Sequence, residues 1–538
     1  MGAMLQQRAD LLLALALLTG LLTVALLLRP LLPIDETRYL TVAWEMWLNG
    51  NWLVAHLNGA PYAHKPPLLF WLINIVWHIT GVNALAARLV APAFALTSVL
   101  LTWILAGLLW PQRKDIANSA ALILVSINLW TFSATLTMFD GMLTAFTLVS
   151  LIGVLRAARG MRYGWILLAA GVGGGLLSKG PVVLVHVLPV ALTLPWLARI
   201  GGEFTIDRNW NRRVVFASLL AVALVALWVV PAVVTGGEAY REAILWKQTV
   251  GRISHSFAHQ RPSWWYFPLL PLLLFPWLIV WVGRKRWRGQ DVGVRACLIW
   301  LAGALLVFSL ISGKQIHYLV PDLPGFALAT AWLIHAQRTA HRERPVVWAT
   351  LGLLVAAAVA SFNSQTLQLW RGCDGCLVLS PWWGVSLLVT AIAMLFITRS
   401  GKGIHATALG MVALWAVIWS ASGPFAAKNY DVATPAARIQ KLQRNGQSVV
   451  HLGKYHGQFQ FLGRLQQPLL VIATRMQLHA WVQAGHTGHV LVYVSRDASV
   501  PLSAAELVVP FRARYAVLFR AQVLRGFDDK IWAQIQAL

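Results

Sequence analysis

The chain has 538 residues, 58% hydrophobic and only 12% charged, with a formal net charge of +25. Soluble globular domains carry about a quarter charged residues, so this composition excludes one and describes a polytopic membrane protein. Much of the positive charge falls in short turns between hydrophobic runs, where it sets orientation, and no nucleic-acid partner is expected.

The first hydrophobic run, about 11–32, is too long for a cleaved signal peptide and ends in Arg29-Pro30 and Asp35-Glu36 instead of small residues. It reads as a retained first helix. Runs long enough to span begin near Leu11, Leu85, Ile116, Gly141, Trp165, Pro181, Val214, Trp264, Val294, Tyr318, Pro345, Pro381 and Ile404, which predicts about thirteen transmembrane helices. With Arg8 cytoplasmic, the inside turns and Arg8 together carry 20 Lys and Arg, against 9 in the opposite loops outside the C-terminal tail. That bias places the tail outside.

On this topology Asp35, Glu36, Lys65, Asp140, Lys179, Arg252, Lys314, His317 and Tyr318 all fall at the external ends of helices or in external loops. Ionisable groups beside hydrocarbon are expensive, so a set of them on one face predicts a polar site at the bilayer surface. The first external segment, 35–83, has tryptophans beside charged positions and reads as two interfacial helices. The second, 236–263, carries Lys247, Arg252, His255 and His259 before re-entering the bilayer at Trp264-Trp265-Tyr266.

Of three cysteines, Cys297 lies in an apolar run and reads as packing. Cys373 and Cys376 form a CxxC in a loop; outside the membrane a local disulfide suits them better than a metal site, since no second ligand pair is near. After Ser422-Gly423-Pro424 the composition changes. From Lys428 onward there are 13 Lys and Arg against 5 Asp and Glu, and 448–452, 468–472 and 490–494 read as buried strands. Residues 436–444 read as a helix stopped by Asn445-Gly446. The expected organisation is a transmembrane domain over 1–423 and a small external α/β domain over 424–538.

The order Asp35-Glu36-Thr37-Arg38-Tyr39, Lys65-Pro66-Pro67, Asp140 in Met138-Phe139-Asp140-Gly141-Met142, Ser178-Lys179-Gly180-Pro181 and Lys314-Gln315-Ile316-His317-Tyr318 resembles the GT-C glycosyltransferases. The nearest branch is that of the aminoarabinose (lipid A) transferases and their protein O-mannosyltransferase relatives. The resemblance implies a polyprenyl-phosphate sugar donor, an active site on the periplasmic face of the bacterial inner membrane and an inverting transfer. The leaving group is then a lipid phosphate, whose developing charge needs Lys or Arg donors. By resemblance Lys65, Arg252 and Tyr318 are the phosphate contacts. Lys179, Lys314, His317 and Arg38 are further candidates, Lys179 and Lys314 serving equally well as interfacial anchors.

Asp35 is the candidate catalytic carboxylate: a general base for a hydroxyl acceptor, or an orienting group for a phosphate acceptor that needs no deprotonation. Glu36 reads as the ion-pair partner of Arg38, and Asp140 as a support of the site or a contact to the sugar. Some relatives carry Glu before the motif lysine and His in the long loop, a pair suited to a metal; His64 and Lys247 stand there instead. No metal or other cofactor is therefore required by this reading, although His255 and His259 have the spacing to bind a divalent ion opportunistically. Lipid A, lipopolysaccharide core and protein hydroxyls stay open as acceptors, and the chain is expected to act as a monomer. A lipid-linked-sugar flippase is the alternative from another class; it would place ionisable groups near the membrane midplane, and most spans here are uncharged inside.

Overall fold

The computed structural model describes residues 8–201, 204, 206–244, 260–282, 291–336, 343–362 and 380–536. Among them nine helices are long and apolar enough to cross a bilayer, from Ala9–Leu28 to the helix beginning at Gly403. The other hydrophobic runs are helical but short or broken. Gly164–Lys179 has 16 residues; Lys114–Ser126 breaks into Asn128–Ser133; Ser263–Leu269, Leu270–Leu273 and Trp277–Trp281 are fragments; Ile316–Asp322 precedes Leu323–His335. Pro268, Pro271, Pro276, Pro321 and Pro324 lie in the last two of these regions, each removing a backbone donor.

Small residues set the contact that matters most for the site. Helices Phe139–Ala158 and Gly164–Lys179 run antiparallel with their backbones touching. A Cβ on Gly171 would come within 2.5 Å of the Ser150 backbone nitrogen, and one on Gly153 within 2.5 Å of Leu168 N. Only glycine permits that approach. The hairpin brings Asp140, in the first turn of one helix, level with Lys179, in the last turn of the other.

Two helices occupy the segment 35–83, Asp35–Asn49 and Leu68–Thr80. Strands β1 (His56–Leu57) and β2 (Ala60–Pro61) pair between them across Asn58-Gly59, whose positive φ values of 55° and 77° suit a two-residue hairpin turn. The helices do not both lie in the headgroups as the tryptophan pattern suggests. Every residue from Tyr39 to Met46 is buried, because the C-terminal region covers the outer face of Asp35–Asn49.

The helix that starts at Gly403 runs through Pro424 to Tyr430 and leads into a six-stranded sheet. Strands β3 (Val449–Leu452), β4 (Leu470–Ile472), β5 (His489–Ser495), β6 (Leu507–Phe511), β7 (Arg514–Arg520) and β8 (Ile535–Gln536) take the order β4-β3-β5-β7-β6, with β8 also on β5. The β4-β3-β5 part is parallel and the rest antiparallel. Alternation splits β5 between two cores: Leu491 and Tyr493 meet Ile439 and Leu442 of helix Ala433–Arg444, while Val490, Val492 and Val494 meet Leu478, Val482 and Leu524. Of the three strands expected to be buried, β3 and β5 are; β4 is the sheet edge, with Leu470 and Val471 exposed.

Contacts between this region and the segment 35–83 are specific. Thr41 donates to the Gly457 carbonyl at 2.6 Å, Trp44 Nε1 to the Leu465 carbonyl at 3.0 Å, and Asn58 exchanges two hydrogen bonds with Leu469. Phe461 stacks on Trp77 at 5.4 Å and Arg464 lies 4.1 Å over Phe461. Beneath β3, His451 Nε2 sits 3.0 Å from the Tyr493 hydroxyl, and burial pushes its imidazole down to about 4.

That burial predicts a pH dependence. The unfolded chain takes up the His451 proton near 6.5 and the folded one only near 4. The contribution is therefore complete above the unfolded value and is lost as pH falls toward 4, by on the order of 3 kcal/mol. Thermal unfolding in detergent should show a Tm that falls over this window, less steeply in His451→Asn; equal slopes for the two proteins would remove His451 as the cause.

Candidate active site

The first helix ends in Arg29, and the chain turns so that Glu36 returns to meet it. The guanidinium and carboxylate form two parallel hydrogen bonds, one of them Arg29 Nη2 to Glu36 Oε1 at 2.8 Å. Glu36 also accepts from Leu32 N at 3.0 Å and Thr137 N at 2.8 Å, and Arg29 donates to the Thr135 carbonyl at 2.7 Å. Arg88 donates to the carbonyls of Leu26 and Arg29, and Trp419 lies under the Arg29 guanidinium. Burial opposes the Glu36 charge, but Arg29, Arg88 and the Leu32 N–H outweigh it and hold the carboxyl at about 2. Its partner is thus Arg29 and not Arg38: residues i and i+2 of one helix leave on different sides, and Arg38 faces away.

Asp35, one residue earlier, points to the open side. Its side chain is 54% exposed, with Arg38 Nη1 at 3.7 Å and the Tyr39 hydroxyl at 3.4 Å. Burial pushes the Tyr39 phenol well above its ordinary value, and Asp35 and Asp140 both add to this, so the hydroxyl stays protonated near both carboxylates. The Tyr39 ring packs edge-on against Phe139 at 4.9 Å, which joins the helix of Asp35 to that of Asp140.

Asp140 is buried and receives Lys179 Nζ at 2.5 Å. The same ammonium lies 5.1 Å over the Tyr318 ring, and Lys65 lies 5.6 Å over Phe139. Lys65 and His317 lie within electrostatic reach of Asp140, with Lys179 in direct contact. A cavity of about 40 Å3 opens beside it, between Met138, Ile316 and His317, and is of water size. Asp140, Lys179, Lys65, His317 and Tyr318 therefore converge, with Asp35, Arg38 and Tyr39 beside them.

Two sequence candidates have other surroundings, and one cannot be placed. Glu36 is committed to the Arg29 clamp. Lys314 is buried and donates to the carbonyls of Arg261 and Ile311, so it is neither a headgroup anchor nor turned to the cluster; it fastens 260–261 to 312–313, which also pair through their backbones. Arg252 lies outside the described residues, as do Lys247, His255, His259 and Cys373 with Cys376. Sequence reasoning missed Arg29 and Arg88, which look like flanking charges, the Tyr39 hydroxyl, and a buried pair, His186 Nδ1 and Asp322 Oδ1 at 2.7 Å, behind Phe308 and Tyr318.

The contrast between the paired carboxylates is measurable. Glu36→Gln leaves the buried Arg29 guanidinium without its counter-charge and should cost about 3–5 kcal/mol. Asp35→Asn breaks only a half-exposed pair and should change stability by less than about 1 kcal/mol. Thermal unfolding of the two variants in one detergent checks this; similar Tm values would remove Glu36 as the clamp.

The family model described as dolichyl-phosphate-mannose-protein mannosyltransferase matches residues 64–230. The undecaprenyl phosphate-aminoarabinose arabinosyl transferase 1 of Pseudomonas fluorescens (strain Pf0-1) is 32% identical over 312 residues, 55% of this chain and 52% of that protein. The corresponding transferase of Pectobacterium carotovorum subsp. carotovorum (strain PC1) is 30% identical over 351 residues, 61% and 60% respectively. The chain spans about half the length of the first of these relatives. The crystal structure of ArnT from Cupriavidus metallidurans bound to undecaprenyl phosphate superposes with a TM-score of 0.73 at 17% identity, covering 97% of this chain and 100% of that one. Its apo form gives 0.72 at 17% identity, over 96% and 99%. The chain therefore shares the fold of ArnT over nearly its whole length and is similar in sequence to the aminoarabinose transferases over little more than half of it.

Proposed function

We propose that this protein is an integral-membrane glycosyltransferase that moves a sugar from undecaprenyl phosphate to an acceptor on the periplasmic face of the bacterial inner membrane. Aminoarabinose and lipid A are the leading sugar and acceptor, with protein and lipopolysaccharide core as the other acceptors of the same chemistry. The observation that carries the reading is the convergence of Asp140, Lys179, Lys65 and Tyr318 beside the exposed Asp35 carboxylate. The names of the sequence relatives and the likeness to ArnT support the choice of donor. Thirteen membrane crossings, an α/β domain over 424–538 and an external site fit the basic turns on the opposite side.

Chemistry follows from these positions. The acceptor oxygen attacks the anomeric carbon, the bond from that carbon to the phosphate oxygen breaks, and the polyprenyl phosphate leaves as an anion, inverting the centre. Lys65, the Tyr318 hydroxyl and Arg252 offset the charge that grows on the phosphate. Lys179 acts on the protein side: it neutralises Asp140, so a buried carboxylate can stand close to an anionic lipid headgroup. Asp140 in turn is placed to contact sugar hydroxyl or amino groups. Asp35 deprotonates a hydroxyl acceptor or orients a phosphate one. We assign no required metal, because His64 and Lys247 replace the Glu and His that would hold it.

Asp35→Asn should lower transfer by about 10²–10⁴-fold if the acceptor is a hydroxyl, with undecaprenyl phosphate binding retained. Lys65→Ala should weaken that binding by about tenfold, the loss of one charge-assisted contact. Titration of the purified protein with undecaprenyl phosphate and mass spectrometry of lipid A from cells with and without the gene provide the checks. Failure to bind the lipid would overturn the donor, and an unchanged lipid A would overturn the proposed sugar and acceptor.

A further inference from the structure

The segment between β3 and the short helix Gln460–Gly463 reaches from the C-terminal sheet to the helix that carries Asp35. Its fit is close. Thr41 donates to the Gly457 carbonyl at 2.6 Å and accepts from Phe461 N at 3.3 Å. Gly457 has φ +76°, and a Cβ there would come within 2.6 Å of Leu57 and 2.9 Å of Thr41. From behind, Gln458 accepts from His456 N at 3.1 Å and donates to the Tyr493 hydroxyl at 3.1 Å. The loop is therefore held both by the helix in front and by the sheet behind.

At its tip His456 Nδ1 lies 3.1 Å from Arg38 Nη2. Burial, and then Arg38, Lys454 and Arg512, push the imidazole down to about 4, only partly opposed by Asp35. At neutral pH the ring is uncharged, so Nδ1 accepts from the guanidinium and the proton is on Nε2. Arg38 is one helical turn from Asp35, close enough to fold onto it in the bidentate geometry that arginine and carboxylate prefer. It does not: the nearest pair of atoms is 3.7 Å apart and Asp35 remains 54% exposed. The guanidinium instead makes its shorter contact with His456.

Resting on the transferase reading above, we propose that His456 is a positioning residue for Asp35: it holds Arg38 where the cation orients the carboxylate without capping it. The C-terminal domain is thereby part of the acceptor side of the active site.

The test compares wild type, His456→Ala, His456→Asn and the double variant His456→Ala with Arg38→Ala, using undecaprenyl phosphate aminoarabinose as donor and lipid A as acceptor. His456→Ala should lower kcat by up to about a hundredfold, as expected of a misplaced catalytic group, with the affinity for undecaprenyl phosphate unchanged. His456→Asn, which returns an acceptor near Nδ1, should recover most of the loss. The double variant should be no slower than His456→Ala, because the effect passes through Arg38. Wild-type turnover with an unaltered kcat in His456→Ala, or an Asn variant as impaired as the Ala one, overturns the positioning role and leaves the transferase reading standing. A wild-type protein without turnover on this pair, and without affinity for undecaprenyl phosphate, overturns both.

Discussion

A single buried carboxylate organises the mouth of this protein. Glu36 accepts from the end of the first helix, from the backbone just before its own helix and from the backbone at Thr137, while Arg29 also donates to the Thr135 carbonyl. An ionised group inside protein is tolerable only when its hydrogen bonds are satisfied, so those segments are fixed in one arrangement. Asp35 takes its direction from this. Its neighbour is locked inward, so successive positions of the helix leave Asp35 pointing outward. The acidic pair divides into a clamp and an open carboxylate because of what surrounds each member.

The second constraint is charge next to lipid. Asp140 and Lys179 would each be costly alone at the end of an apolar bundle, and together they form a compact neutral pair. The pair depends on glycines well away from it, since Gly153 and Gly171 let the two helices lie backbone to backbone. Lys65 and Tyr318 then approach the same spot from two other segments. No one element builds the site, which is assembled where four of them end.

Much of the fold was legible from hydrophobic length. All thirteen predicted runs contain helix, and the strands at 449–452, 470–472 and 489–495 fall where short apolar runs lie between turn residues. Strands β6 and β7 escaped notice: Pro510 interrupts the first, and Arg512, Arg514 and Arg520 flank the apolar run 515–519 of the second. The charged candidates were found as a set, by their common end of the helices, while their partners were not. Arg29 and Glu36 are seven residues apart across a turn whose path no periodicity reveals. Lys314 turned inward to carbonyls that only the folded loop presents. Arg38 and His456 are 418 positions apart, beyond any local pattern. Burial of the helix Asp35–Asn49 was equally hidden, because what covers it comes from the other end of the chain.

That covering has a consequence for biogenesis. The residues of the segment 35–83 emerge early in synthesis, yet Thr41, Trp44 and Asn58 meet Gly457, Leu465 and Leu469 only after more than four-fifths of the chain has been made. Domains generally fold as units and in order of emergence, so these early helices must wait. Throughout that interval a helix built for burial presents its outer face to water, and the carboxylate beside it lacks its final surroundings. A nascent chain interrupted before the sheet would therefore hold the described membrane-spanning helices and a candidate site without its cover.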